Sequence, residues 1–211
     1  MDRVEIKKKA KEFAFANKWN IWKGILLTAA ISTAASMVLN GILFAIKLDD
    51  TIISLFSFVL ELALMPMAVG LASYFIKVVN KKDVVLTDEL FARYKDGSMW
   101  KIILVFFVSG LIIGLMSLLL IIPGIIFAIK YAMTTFILAE ESLADMEKEP
   151  AYKTSDKMMN GHKMEYFIFQ LSFILWYIGC SFTFGILAIW AVPYITTANV
   201  MWYENLKKIS K

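Results

Sequence analysis

One cysteine, one histidine and a 19% share of charged residues are what this chain of 211 residues has little of, and each shortage closes off a class of proteins. The lone Cys180 lies inside an apolar run, so no internal disulfide is possible and the residue reads as a small buried hydrophobe. His162 stands alone in a polar turn, with no second histidine and no cysteine pair. No zinc site of the usual ligand types is therefore expected. There is no G-x-x-x-x-G-K-[ST] loop to cradle phosphates and no G-x-S-x-G elbow to carry a nucleophilic serine. With no catalytic constellation, neither an enzymatic activity nor a cofactor is expected. No short apolar segment precedes a small-residue cleavage site either, so the first apolar span is expected to serve as an uncleaved anchor.

What the chain has in excess is apolar sequence: 59% of its residues are hydrophobic, in runs too continuous for a soluble domain. It reads as an all-α multi-pass membrane protein forming one integral membrane domain. Breakers inside the runs are scarce, which gives weight to Pro123-Gly124. Residues 102–139 as a single helix would be about 57 Å long at about 1.5 Å per residue, against about 30 Å of bilayer hydrocarbon. The chain is expected to fold back at that pair. The same length argument applied to residues 164–203 puts a second fold-back in the cluster Gly179 to Gly185. Six spans result, at about 24–46, 52–76, 102–122, 125–139, 164–182 and 186–203, arranged as three tandem hairpins.

Between the spans lie polar pieces. Residues 1–23 carry Lys7, Lys8, Lys9 and Lys11 with intermittent Val4, Phe13, Phe15, Trp19 and Trp22, the pattern of an amphipathic helix lying on a membrane surface. Lys47 to Asp50 reads as a tight turn. Thr87 to Tyr94 is expected to be a short helix capped by Thr87 or Asp88, and Ala151 to Met159 a surface helix ended by Asn160-Gly161. Of the 22 Lys and Arg, twenty fall on one side of this arrangement, Lys47 alone on the other, and Lys130 within a span. By the positive-inside rule both termini are cytoplasmic and the protein lies in the cytoplasmic membrane. The charge of +4 then needs no nucleic-acid partner.

The three hairpins look like copies of one unit. Each is entered through a polar stretch ending in a turn and an aromatic: Ala16 to Trp22, Lys95 to Trp100, and Met159 to Tyr166. Each returns through a marked helix, at Pro66-Met67, Lys130-Tyr131 and Pro193-Tyr194. Asp96 to Lys130 spans 34 residues and Asn160 to Pro193 spans 33, whereas Asn17 to Pro66 spans 49. Internal repeats with interrupted helices are common in transporter folds.

Glu61 falls near the middle of its span, where a charge costs about 2.5–3.5 kcal/mol on insertion scales. Either it pairs with Lys130 across the second and fourth helices, or it stays neutral while Lys130 snorkels. Gly110 and Gly114 form a G-x-x-x-G face suited to close helix packing within the bundle or between copies. Pro66, Pro123, Gly124, Gly185 and Pro193 mark helix breaks and hairpins. Thr134, Thr135, Thr196, Thr197 and Asn199 make polar stripes expected to bond their own backbone carbonyls. Glu140, Glu141, Asp145, Glu147 and Glu149 form an acidic stretch read as a solvated loop, with a divalent cation as the sharper alternative.

From Trp100 to Tyr203 the chain resembles a family of bacterial multi-pass membrane proteins, the domain of unknown function 975 family. The likeness is carried by Ile122-Pro-Gly-Ile-Ile126, Tyr131, Met133, Leu138-Ala-Glu140, Ser155, Met158-Met-Asn-Gly-His-Lys163, Leu171-Ser-Phe-Ile174, Trp176, Gly185-Ile186, Trp190, Pro193-Tyr194 and Tyr203-Glu204. The family's proline near the position of Thr135 is missing here, and the first hairpin resembles the family only through Pro66 and Gly70. The resemblance implies a helical integral membrane protein and carries over no activity. A weaker similarity to membrane domains fused to glycerophosphodiester phosphodiesterases hints at lipids without supplying a catalytic residue. The expected role is non-enzymatic binding or assembly, as in envelope protection, with membrane lipids and a second copy or another membrane protein as partners. The alternative is a small transporter or channel using Glu61 and Lys130.

Overall fold

The computed structural model describes residues 2–47 and 49–210, with the side chains of residues 143 and 144 left aside. Among the described residues the secondary structure is helical throughout. Helix α1, Arg3–Ala45, begins where the Asp2 carboxylate accepts from the amides of Val4 and Glu5, filling two of the donors a helix start leaves open. It runs 43 residues with one kink at Asn17, whose side-chain amide donates to the Phe13 carbonyl and competes with the backbone ladder. The expected separate surface helix over residues 1–23 is thus the first half of α1. It does not lie free, because Ile6, Ala10, Ala14 and Ile21 are buried. The turn expected at Lys47 to Asp50 includes Leu48, which lies outside the described residues; Lys47 takes a positive φ of 56°.

Helix α2, Asp50–Val79, passes through Pro66 without ending, and α3, Leu86–Lys95, follows. The cap of α3 is Val85, which makes no side-chain cap bond, so neither Thr87 nor Asp88 starts it. Helix α4, Met99–Leu119, turns at Leu120, in extended backbone (φ −160°, ψ 144°), into α5, Ile121–Lys130. The fold-back therefore precedes Pro123-Gly124. Pro123 sits in the first turn of α5, where a missing N–H costs nothing, and Gly124 lets α5 approach α4. A Cβ on Gly124 would meet the Ser117 Cα at 2.9 Å.

The expected fourth span is broken: after α5, residues 131–133 turn and α6 runs Thr134–Glu140. Two short helices follow, α7 Leu143–Lys148 and α8 Ala151–Met158. The fifth span is also broken, at Ser172-Phe173, into α9 Lys163–Leu171 and α10 Ile174–Phe182. Residues 183–187 fold back with Phe184 and Gly185 at positive φ, as the glycine cluster suggested, into α11, Ala188–Ile209. Pro193, like Pro66, stays inside its helix rather than ending it.

By length and composition, five stretches of the described residues are apolar enough to cross a membrane: Arg3–Ala45, Asp50–Val79, Met99–Leu119, Ile121–Glu140 and Lys163–Phe182. The sixth expected span falls in α11, which is less apolar and more enclosed, burying Ala191, Tyr194, Thr197, Ala198, Trp202 and Leu206. The outgoing helices instead present bare apolar side chains, such as Leu118 at 84% exposure and Phe182 at 81%. Patches of this extent are costly in water.

The helices that return from each hairpin form the centre. The second half of α2 packs against α6 and α11, and Phe136 of α6 stacks on Tyr203 of α11 at 5.4 Å. Around them sit the three amphipathic segments, each displaced by one unit. Helix α3 packs on α2 and α8 on α6, while the first half of α1 packs on α11 and closes the ring. Gly70 makes the α2–α3 contact possible, since a Cβ there would lie 2.4 Å from the Glu89 carbonyl oxygen. The surface helix expected at 151–159 is correspondingly half sunk, with Ala151, Ser155 and Met159 buried.

Candidate functional site

Each return helix carries a proline or a break, and beside each a side chain from a ring helix donates to the helix backbone. In α11, Pro193 has no N–H to offer the Ile189 carbonyl four residues back, and the Trp22 indole donates to that oxygen at 3.0 Å. Between α5 and α6, the Ser155 hydroxyl donates to the Lys130 carbonyl at 2.7 Å and accepts from the Met133 amide at 3.2 Å. In α2, the Tyr94 hydroxyl donates at 2.8 Å to the carbonyl of Ala63, next to the Leu62 carbonyl that Pro66 leaves without its helical donor. Three donors from three ring helices thus bond the backbone of three weakened return helices, and in α11 the bond fills the gap that the proline leaves. An apolar medium makes this necessary, because an open backbone group there costs several kcal/mol.

Where the return helices end, a polar layer forms. Arg93, buried to 9% exposure, donates to the Ala139 carbonyl at 2.6 Å and the Glu141 carbonyl at 3.0 Å, and to the Asp96 carboxylate at 3.1 Å. It thereby caps the carboxyl end of α6 with a cation, the charge that end favours. On α3, Glu89 accepts from Ser73 and Lys77 of α2. On α6, Glu140 accepts from Tyr203 and Lys207 of α11, and Asn80 donates to Glu204. Ser73, Lys77, Asn80, Glu89, Arg93 and Glu140 line an open cavity of about 420 Å³ between α2, α3 and the end of α6.

Glu141 is the strained member of this layer. Burial, then the charges of Asp145 and Glu149, push its pKa up to about 7 against the pull of Arg93. Its Oε2 atom has no hydrogen-bond partner among the described residues. The remaining acidic residues disperse onto separate partners: Glu147 onto Lys101, Glu149 onto Lys157, and Asp145 onto Ser142 and Lys148. Among the described residues no three His, Cys, Asp or Glu side chains gather in a metal-holding group. His162 pairs locally with Glu165 at 3.1 Å.

The two charged residues singled out within the spans go separate ways. Lys130 does not meet Glu61; its ammonium lies 3.1 Å from Asp156 and over the Phe127 ring at 4.6 Å. Asp156 holds Lys163 as well, at 2.9 Å. Burial works against the Asp156 carboxylate, but the hydrogen bonds from Lys163 and Lys130 outweigh it and hold its pKa below the ordinary range. The alternative of a shared Glu61–Lys130 pair fails because α8 brings a carboxylate closer to Lys130. Glu61 instead lines an open groove of about 760 Å³ between α1 and α2, with Ser32, Thr33, Ser36 and Asn40 on the opposite wall. Asn40 is tied to Ser57 across the hairpin at 3.1 Å.

The other singled-out residues fall into three groups. At Gly110 and Gly114 an added Cβ would meet nothing within 4 Å among the described residues, so neither glycine serves a close helix contact there. The hydroxyls of Thr134 and Thr197 are buried without a partner among the described residues, contrary to the expected backbone bonds. Asn199 accepts from Gln170 at 2.7 Å and Tyr166 at 3.3 Å, tying α11 to α9. No motif in the sequence singles out Arg93 or Asp156. The available signal for Arg93 was its place three residues after Leu90, on the same face of a short amphipathic helix.

Residues 115–210 match the family described as "Protein of unknown function (DUF975)", the family that the sequence resembles. No curated protein matches the chain, and no solved structure does.

Proposed function

We propose that this chain is a six-span protein of the cytoplasmic membrane, with both termini on the cytoplasmic side, that works without catalysis by binding membrane partners and holding an assembly together. One observation supports this reading above the others: the centre of the ring is closed. Trp202, Phe169, Phe173, Met133 and Met159 are all at 0–1% exposure and belong to one core cluster with Val69 of α2, Leu138 of α6 and Ala198 of α11. Phe169 lies 4.6 Å from Trp202 and 5.1 Å from Phe173, ring centre to ring centre. A path for solute along that axis would have to displace close-packed aromatics. The free surfaces are the splayed hairpins, whose apolar faces are complete in a bilayer and available to another helix there. Envelope maintenance, including protection against membrane-active peptides, is a role such a scaffold serves.

Cross-linking in native membranes followed by purification in mild detergent tests the proposal. A reproducible partner or self-association supports it, and a chain that stays alone under both conditions counts against it. A second reading, transport of a small solute, rests on the Glu61 groove alone. It requires proteoliposome flux that Glu61→Gln abolishes.

A further inference from the structure

Between α5 and α9 runs a cleft of about 330 Å³ walled by Ile122, Ile125, Ile126, Ile129, Met164 and Phe167. Its volume is within the range of about 300–1,000 Å³ in which proteins hold small molecules. One polar side chain reaches it, Lys163. That lysine shares the Asp156 carboxylate with Lys130, at 2.9 and 3.1 Å, so two ammonium groups answer to one carboxylate. Lys153, three residues before Asp156 on α8, is exposed and adds a further positive charge. The acid nearest in sequence, Glu165, is engaged with His162. An apolar cleft ending in a surplus of positive charge is complementary to one type of molecule, an amphiphile with an alkyl tail and an anionic head.

We propose that this cleft is a binding site for an anionic phospholipid of the surrounding bilayer. One acyl chain lies along the isoleucine wall, and the phosphate takes the ammonium of Lys163 with Lys130 behind it. Basic pockets between membrane helices are where phosphate headgroups are held. The two parts of the site contribute differently. Lipid tails already sit in an apolar medium, so the cleft gains little free energy from the tail and acts by orienting it. Discrimination between lipids comes from the charges, and Asp156 fixes both lysines in place before a headgroup arrives, lowering the ordering cost of binding. The inference needs only that the chain lies in a bilayer, and it stands or falls independently of the assembly reading.

The test is native mass spectrometry of the full chain, loaded with phosphatidylglycerol or phosphatidylcholine of identical acyl chains. Wild type is expected to retain phosphatidylglycerol preferentially. Lys163→Gln should lower that preference about fivefold, and Ile126→Trp, which fills the cleft, should lower it similarly. Lys148→Gln, an exposed lysine on α7, should leave it unchanged. Lys163 is partly exposed, so its variant keeps the test valid even if Ile126→Trp does not fold. Equal retention of the two lipids by wild type, or a preference that Lys163→Gln leaves intact, overturns the proposal. Inorganic phosphate separates the sources: if it displaces phosphatidylglycerol completely at millimolar concentration, the site is one for free anions and the lipid assignment is wrong.

Discussion

The indole N–H of Trp22 donates to the carbonyl of Ile189, the oxygen that Pro193, four residues on, cannot serve. Sequence positions 167 residues apart are tied together there by a defect in one helix and its repair from another. Trp22→Phe keeps most of the ring and removes the donor, and should cost about 0.5–1.5 kcal/mol. In a Pro193→Ala background, residue 193 regains its amide and the Ile189 carbonyl its helical partner, so the cost of Trp22→Phe should shrink. Thermal unfolding of the four proteins in detergent measures the coupling. Equal costs in both backgrounds would show that the indole bond does not serve the proline gap.

Arg93 holds two carbonyls at the end of α6 and the Asp96 carboxylate in one planar fork. Arg93→Lys preserves the charge but not the fork, and Arg93→Met leaves buried acceptors open at about 1–3 kcal/mol each. The expected order of stability is wild type, then Lys, then Met, with the midpoint falling about 2–4 °C per kcal/mol in a protein of this size. A lysine variant as stable as wild type would mean that the charge alone suffices.

Lys130 is partnered by Asp156, not Glu61. Lys130→Met and Asp156→Asn should therefore be non-additive, with a coupling of about 0.5–1 kcal/mol for a partly exposed pair. Lys130→Met and Glu61→Gln should simply add. The double-mutant cycle reverses the assignment if the coupling appears with Glu61.

Glu141 is raised to about 7 in the folded protein, against an ordinary carboxyl value of 4.5. A carboxyl raised on folding is at its most favourable when both states are protonated. Its contribution is therefore complete below the unfolded value of 4.5 and is lost as pH rises through about 7. Glu141→Gln should match wild type in acid and exceed it in stability at pH 8. Midpoints of unfolding across that interval check the sign, and a variant that gains nothing at pH 8 would contradict it.

The glycines divide by what faces them. Gly70→Ala drives a methyl group against the Glu89 carbonyl and the Leu90 backbone, and Gly124→Ala one against Ser117. Each should cost about 1–3 kcal/mol. Gly110→Ala and Gly114→Ala meet open space and should stabilise the helix by up to about 1 kcal/mol. If the last two instead lower the mass of the particle in membranes, that face belongs to an interface between copies.

Much of the architecture was legible because bilayer thickness is a ruler: residues 102–139 and 164–203 exceed one crossing, whatever their neighbours. The turn itself was misplaced by a few residues because a proline in a first turn looks, in sequence, like a proline that ends a helix. Pro123 opens α5, and extended Leu120 makes the bend. Partner choice was less accessible still. Lysines at 7–11 predict a surface helix, while the small Ala10 and Ala14 that let α1 sit against α11 are unremarkable in an apolar chain. No spacing rule joins residue 130 to residue 156, and none joins Arg93 to the Ala139 carbonyl. Those contacts depend on the ring being offset by one unit, which long-range packing decides.

That offset also sets an order of events during synthesis. Helix α3 has α2 available as soon as it emerges, and α8 has α6, but Trp22 of α1 precedes its partner Ile189 on α11 by 167 residues. Until α11 is made, Ile6, Ala10 and Ala14 lack their seat on it, and the basic segment bearing them waits while the intervening helices are synthesised. The ring therefore closes late: the seat of α1 on α11 forms after the local seats of α3 on α2 and α8 on α6.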